Sequence, residues 1–146
     1  MHKVIAVLIL AILTLSPPAM AWQEPARGTP TRAALLDALR PHAGWQYGYP
    51  IEFLVYDLRV EGNLAFASVG LQRPGGGRID LRQTPSYARG NTYLDDDNTD
   101  WTTMQALFVL SGQTWVAVHH VLGAGDVWWS EPELCQIWRP VVGEVC

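Results

Sequence analysis

Lysine is nearly missing from this chain: Lys3 is its only lysine, and acidic residues outnumber basic ones. Nine arginines oppose fourteen aspartates and glutamates. Nucleic acids and anionic membrane surfaces are bound through clustered cations. The composition therefore argues against either of them as a partner.

The motifs of the familiar hydrolases are also missing. The sequence contains no Gly-x-Ser-x-Gly elbow and no His-Glu-x-x-His pair. The glycines at 75–77 precede the strand-like Ile79-Asp80-Leu81 rather than a helix, so they do not make a phosphate loop. These absences favour binding over catalysis, and we expect no cofactor.

The only long apolar run lies at the N-terminus. A basic start ending at Lys3 precedes the apolar residues 4–15, and Ala19-Met20-Ala21 has the small-x-small form of a cleavage site. The run is too short to span a bilayer. We predict an export signal over residues 1–21 and a periplasmic or secreted location. The mature chain would begin near Trp22, with a formal charge of −5 and no membrane insertion.

Cys135 and Cys146 are the only cysteines, and export would deliver both to a compartment in which disulfides persist. Their spacing matches no zinc site. We therefore predict a structural disulfide that closes a short loop and contributes about 3 kcal/mol to stability.

The rest of the chain is predicted to consist of a flexible leader over residues 22–28 and a single α+β domain over residues 29–146. Thr29-Pro30 places an N-cap before a proline at the first helical position. Leucines within residues 35–39 follow as an apolar stripe. We expect one amphipathic helix that ends at Pro41.

Alternating apolar residues predict two β-hairpins. The first covers residues 51–72 with a bulge near Tyr56-Asp57, and the second covers residues 101–122 with a turn at Ser111-Gly112-Gln113. Between them, residues 73–100 form either a long functional loop or an extra hairpin, because structureless loops of that length are uncommon.

The C-terminal segment predicts a short helix. Residues 130–133 have the Ser-x-x-Glu form of a capping box, and Pro140 is expected to end the helix. The predicted fold is thus α+β: an N-terminal helix packed on a curved antiparallel sheet of four or more strands, with a short C-terminal helix pinned by the disulfide.

Several segments of the chain carry a pattern of core and turn positions. They are Leu35-Leu36-Asp37-Ala38-Leu39-Arg40, Leu58-Arg59-Val60, Ala65-Phe66-Ala67, Trp115-Val116 and Gly123-Ala124-Gly125-Asp126-Val127-Trp128. Through them the chain resembles the cystatin-like and NTF2-like α+β domains, and also a group of small exported bacterial proteins of unassigned activity. The resemblance implies a fold and leaves the function open, because the shared positions include no reactive set.

The densest polar feature is an acidic run before the second hairpin. Asp96, Asn98 and Asp100 occupy the first, third and fifth positions of a calcium loop, where side-chain oxygens surround the ion. Trp101 stands where that loop needs glycine, and Leu107 stands where it needs a closing glutamate. A solvated acidic loop is the simpler interpretation, and weak calcium binding is the alternative.

His119 and His120 are adjacent on a predicted strand, so their side chains should point to opposite faces. A hydrogen-bonded structural histidine is the simpler interpretation. In the alternative, one of them meets Asp57, Asp80 or Asp126 in a cavity of the sheet and forms a catalytic acid-base pair, as in some NTF2-like enzymes.

Asp126-Val127-Trp128-Trp129 leaves the last strand after two glycines. Adjacent tryptophans diverge in an extended segment, so we expect one of Trp128 and Trp129 in the core and the other facing outward. An outward tryptophan, together with Asp126, would be available to a ligand or partner.

These patterns lead to the hypothesis of an exported, non-enzymatic domain. It would bind an unknown protein or small ligand through residues 73–100 and the Trp128-Trp129 corner. The alternative is a small NTF2-like acid-base enzyme or ligand carrier that uses the concave face of the sheet, with a cavity beside His119 or His120.

Overall fold

A computed structural model describes residues 22–123 and 125–146, so the predicted export signal over residues 1–21 lies outside the described residues. The predicted α+β architecture is confirmed. The helices are α1 (Pro30–Tyr47), the single turn α2 (Pro85–Ala88) and α3 (Pro132–Val142). The strands are β1 (Glu52–Glu61), β2 (Leu64–Gln72), β3 (Thr103–Ser111) and β4 (Thr114–Leu122). None of the helices in the described part of the chain has the length and apolarity needed to cross a membrane.

The four strands form one antiparallel sheet in the order β1-β2-β3-β4, so each strand pairs with its neighbour in the sequence. Both predicted hairpins are confirmed. The first turns at Gly62-Asn63 and the second at Gly112-Gln113, and in each turn the glycine has a positive φ that other residues rarely adopt. The sheet is therefore an open meander.

Two bulges interrupt the ladders. The bulge predicted near Tyr56-Asp57 is present, since the register between β1 and β2 shifts directly after Val55. It keeps Val55 and Leu58 on the same face of the sheet although they are three residues apart. A second register shift between β3 and β4 leaves Val118 as the extra residue of β4.

Helix α1 begins as predicted but continues past its predicted end. The Thr29 hydroxyl caps it by accepting a hydrogen bond from the Arg32 backbone N–H at 3.4 Å. The prediction that Pro41 ends the helix is wrong, because Pro41 lies inside it. An internal proline costs about 3 kcal/mol. Burial of Ala43 and Tyr47 in the turns beyond Pro41 offsets this cost.

The main core lies between α1 and one face of the sheet. Leu35 and Leu39 of α1 and Phe108 of β3 are fully buried there. Ala67 and Ala106 in the central strands have short side chains, which leave room for the leucines above them. This face of the sheet is filled by the protein's own side chains.

Helix α3 covers the opposite face of the sheet, over a smaller second core. The indole N–H of Trp138 donates to the carbonyl of Phe108 at 2.9 Å, which ties α3 to β3. The sheet therefore carries a helix on each face. The buried residues of the second core are Phe66, Leu107, Trp138, Val141 and Val142.

A disulfide joins α3 to the end of the chain. Cys135, on the buried side of α3, is bonded to Cys146, and their Cα atoms are 5.6 Å apart. The predicted disulfide is thus confirmed. It encloses a final 3-10 turn, Gly143–Val145, and holds that turn against the helix.

Two predicted details of α3 are wrong. The helix starts at Pro132 after Glu131, whose side chain makes no capping hydrogen bond, so no capping box forms over residues 130–133. Pro140 does not end the helix, which continues to Val142 because Val141 and Val142 are fully buried.

The predicted leader, residues 22–28, contacts the sheet. Gln23 and Val60 exchange two backbone hydrogen bonds of 2.8 and 2.9 Å at the outer edge of β1. The guanidinium carbon of Arg59 lies 4.7 Å from the centre of the Trp22 ring. The leader therefore lines the edge of β1 instead of extending freely from the domain.

Residues 73–100 are not an extra hairpin. Ile79-Asp80-Leu81, which the sequence suggested as a strand, lies outside the sheet. Ile79 and Leu94 are buried in the main core, so the segment folds over one end of the α1 layer. It consists of short helical turns at Pro74–Gly76, Leu81–Gln83, Pro85–Ala88 and Thr92–Asp95.

Candidate functional site

A cleft of about 390 Å³ opens between the sheet and the long loop. Leu54 and Tyr56 of β1 and Gly70 of β2 line it on the sheet side. On the loop side it is lined by Arg78, Leu94, Asp96, Asp97 and residues 99–102. The loop that the sequence predicted as a binding element therefore borders a recess.

Tyr56 lies across Gly70 on the sheet side of the cleft. A Cβ atom at Gly70 would come within 2.4 Å of the Tyr56 hydroxyl oxygen, so the ring takes this position because residue 70 has no side chain. Tyr56 keeps 58% of its surface exposed and Leu54 keeps 47%. Adjacent exposed apolar side chains of this size are typical of binding sites.

Hydrogen bonds within the loop hold the cleft wall in place. The Asp96 carboxylate accepts bonds from the backbone N–H and side-chain amide of Asn98, both at 3.0 Å, and from the Thr99 hydroxyl at 3.1 Å. These bonds lower the pKa of Asp96. The indole N–H of Trp101 donates to the Asp96 carbonyl at 3.1 Å, which positions that ring beside the cleft.

Asp100 is also used within its own turn. Its carboxylate accepts bonds from the Thr102 hydroxyl at 2.7 Å, the Thr102 N–H at 3.0 Å and the Thr103 hydroxyl at 2.8 Å, and these bonds lower its pKa. The carboxylates of the predicted calcium ligands Asp96 and Asp100 are thus engaged by neighbouring groups, and the Asn98 amide is one of them. In residues 22–123 and 125–146, no group of three or more His, Cys, Asp or Glu side chains could hold a metal ion.

Two charged side chains at the cleft are unpaired within the described part of the chain. Asp97 and Arg78 line the cleft, and neither makes a hydrogen bond or salt bridge to another described residue. The neighbouring Asp95 is different, because Arg82 binds it at 2.8 Å and lowers its pKa. The cleft therefore offers a ligand one carboxylate and one guanidinium group.

Arg73 and Tyr47 fix the loop to the end of α1. The Arg73 guanidinium donates to the carbonyls of Tyr47, Gly48 and Pro50 at 2.8 to 2.9 Å. The Tyr47 hydroxyl donates to the carbonyl of Trp101, and burial raises the pKa of Tyr47, so the hydroxyl stays protonated as a donor. Hydrogen bonds within the chain therefore hold the wall of the cleft in place.

His119 and His120 point to opposite faces of the sheet, as predicted. The His120 ring lies 4.1 Å from the ring of His42 on α1, whereas the His119 ring lies 5.4 Å from that of Trp138 on α3. Partial burial of its ring, followed by the charges of His42 and His119, lowers the pKa of His120. Both strand histidines are exposed, and neither lines the cleft.

The three carboxylates considered as partners of these histidines are engaged elsewhere or exposed. Asp57 binds Arg59 at 2.6 Å, Asp80 caps the turn that follows it, and Asp126 is exposed. None of them makes a hydrogen bond or salt bridge with a histidine in the described residues. The geometry therefore gives no support to an acid-base pair, and the sheet face under α1 is filled.

Trp128 and Trp129 lie in a 3-10 turn that packs on the second core. Their rings are nearly perpendicular with centroids 5.6 Å apart, and the Trp129 ring lies 4.9 Å from that of Phe66. The expectation that one ring faces outward is wrong: the segment is a turn rather than extended, so both rings are partly buried. The indole N–H of Trp128 is buried without a hydrogen-bond partner. Contact of this corner and Asp126 with a partner stays a prediction.

No family model, curated protein or solved structure matches this chain. Its function is therefore inferred from the chemistry of the cleft.

Sequence reasoning missed the two most exposed apolar residues of the cleft. The strand alternation over residues 51–60 places Glu52, Leu54 and Tyr56 together on the outer side of β1. A leucine and a tyrosine there, where polar residues are usual, were the available sign of a binding surface.

Proposed function

We propose that this chain is an exported, non-enzymatic binding domain whose cleft holds an extended segment of a protein partner. The observation that carries the proposal is the exposure of Leu54 and Tyr56 on the sheet side of a cleft. The opposite wall of this cleft, drawn from residues 94–102, is fixed by its own hydrogen bonds. A site on a rigid scaffold loses little conformational entropy on binding.

The chemistry of the cleft favours a polypeptide. Its volume of about 390 Å³ is at the lower end of the range for ligand pockets, which suits one or two side chains. Leu54 and Tyr56 would contact an aliphatic or aromatic side chain of the partner. The unpaired Asp97 and Arg78 would bind charged or polar groups on either side of that side chain.

Export is supported by the pattern of residues 1–21 and by the disulfide, which persists in oxidising compartments. The layout of one long helix across an antiparallel meander supports the resemblance to cystatin-like and NTF2-like domains. That kinship is proposed on layout alone and adds nothing to the choice of ligand.

The proposal can be tested by selecting peptides from a displayed random library on the purified, disulfide-bonded protein and measuring their affinities by calorimetry. Tyr56→Ala should weaken the selected peptides by roughly tenfold or more, because aromatic anchors dominate such interfaces. Asp97→Asn should weaken only the peptides that carry a basic residue.

Tyr49→Ala is the matched control. Tyr49 is 63% exposed, close to the 58% of Tyr56, and it does not line the cleft. Its removal should leave the affinities unchanged. Recovery of no binding peptide, or an equal loss in the Tyr49 and Tyr56 variants, would refute the assignment of this cleft as the binding site.

A further inference from the structure

The two edges of the sheet differ in protection. The outer edge of β1 is bridged by Gln23 at Val60, and β1 itself carries charged residues such as Glu52 and Glu61. The outer edge of β4 pairs with no strand in the described residues. β4 is therefore the open edge of the described sheet.

The open edge carries no charge. Residues 101–125, which include all of β3, β4 and the turn between them, contain no Asp, Glu, Lys or Arg. Soluble proteins usually guard an edge strand with charged side chains or proline, because unpaired backbone groups recruit other strands. β4 has neither of these guards; only the bulge at Val118 interrupts it.

The exposed side chains of β4 suit a second strand. Val116 is 41% exposed and Val118 is 43% exposed, and both are β-branched residues that pack well across paired strands. The neighbouring turn at Gly112-Gln113 has short or neutral side chains that would not repel a second chain.

We infer that β4 pairs with β4 of a second copy of this chain, antiparallel about a two-fold axis, to give a dimer with one continuous eight-stranded sheet. The absence of charge on β4 favours a second copy of this chain as the partner. Each copy has a net negative charge, −4 over the full sequence and −5 without residues 1–21, so two copies repel each other overall, but β4 opposes no like charges when paired with itself. A two-fold interface requires such a self-complementary patch.

Sedimentation velocity of the purified, disulfide-bonded protein over a concentration series tests the dimer. The wild type should show a concentration-dependent dimer. Val116→Lys should weaken association by about tenfold or more, because each dimer would place two ammonium groups at the paired edge. Val118→Lys serves as a second variant, and circular dichroism confirms that both fold.

Val127→Lys is the matched control, since Val127 is also 41% exposed but lies in the loop after the sheet. It should dimerise like the wild type. Hydrogen exchange locates the contact: at high protein concentration the β4 amides should gain protection and the β1 amides should not. A wild type that is monomeric throughout, or a dimer that survives both β4 lysines, overturns the inference and leaves the cleft proposal standing.

Discussion

The two faces of the sheet bury their helices by different means. The α1 face has seventeen buried residues in one core, and almost all of them are aliphatic or aromatic. The α3 face has five, supplemented by partly buried tryptophans and valines. Apolar burial is the dominant source of stability, so we expect the α3 face to depend more on polar and covalent links than the α1 face does.

The further links on the α3 face are centred on Arg59 and on the disulfide. Arg59 donates to the Asp57 carboxylate, to the carbonyl of Val141 at 3.0 Å and to the Glu144 carboxylate, and its side chain is only 15% exposed. Burial alone would raise the pKa of Glu144, but the hydrogen bond and charge of Arg59, together with a backbone hydrogen bond at Glu144, outweigh burial and lower that pKa. A short helix is thus attached by ionic and covalent links where its core is small.

The largest expected effect comes from removing the disulfide. The double variant Cys135→Ala and Cys146→Ala should lose about 3 kcal/mol of unfolding free energy, because the unfolded chain regains the freedom of the closed loop. Native-state hydrogen exchange should show additional local opening in α3. The amides of α1 and β3 should exchange faster only by the amount that the loss of global stability explains. Chemical denaturation gives the free energy.

Reduction of the wild type by dithiothreitol provides the control and should give the same exchange pattern. Equal local acceleration in α1 and α3 would show that the covalent link does not serve the α3 face in particular. The two faces of the sheet would then not differ in their dependence on the disulfide.

The Arg59 cluster should give a smaller effect. Arg59→Met leaves two carboxylates and a carbonyl without their donor, which should cost about 1 to 3 kcal/mol. Arg82→Met is the matched control: it also removes an arginine-aspartate pair, but the Arg82 side chain is 72% exposed, so solvent screens the pair and its loss should cost much less than the loss of Arg59. Similar losses from both, measured by urea denaturation, would mean that the Arg59 cluster is only a surface ion pair.

The smallest effect concerns the α1 face, where His42 and His120 are in contact. The pKa of His120 is lowered in the folded state, so the unfolded chain binds more protons and stability should fall as the pH drops below about 6.5. His42→Gln removes one cause of the lowered pKa and should flatten this slope. Carboxylates with lowered pKa, such as Glu144, lose their contribution only at lower pH.

Thermal melts at pH 5.5 to 7.5, with NMR titration of the His120 ring protons, measure this effect. His119→Gln is the comparison variant, because the His119 ring contacts α3 on the other face of the sheet and its charge lowers the pKa of His120 less than that of His42 does. An unchanged His120 pKa in the His42 variant would show that the two rings do not interact electrostatically.

Most of the fold could be predicted from the sequence because strand alternation and turn glycines act locally. Both hairpins and the bulge at Tyr56-Asp57 follow from the period of apolar residues. The predicted helix ends at Pro41 and Pro140 failed because tertiary burial outweighed the local cost of proline. That balance depends on contacts with distant strands, which local sequence patterns do not encode.

The cleft could be predicted only in part. The long loop was recognised by its length and composition, but its helical turns depend on Ile79 and Leu94 entering a core made by other elements. The tryptophans of residues 128 and 129 attracted attention as large side chains, yet the second core covers them. Tyr56 was predicted only as part of a bulge and not as a binding residue. Its position on the sheet depends on the missing side chain of Gly70 on the neighbouring strand.

The order of the strands also has a kinetic consequence. β1 pairs with β2 and β3 with β4 across two-residue turns, whereas the pairing of β2 with β3 must close the loop from Gln72 to Thr103. Loop closure of that length is the larger entropic barrier. The cleft requires the same closure, since β1 and β2 form one side of it and the loop forms the other. A chain with two finished hairpins and no central ladder therefore lacks the cleft. If the cleft is the binding site, as we propose, only the fully folded chain can bind a partner there.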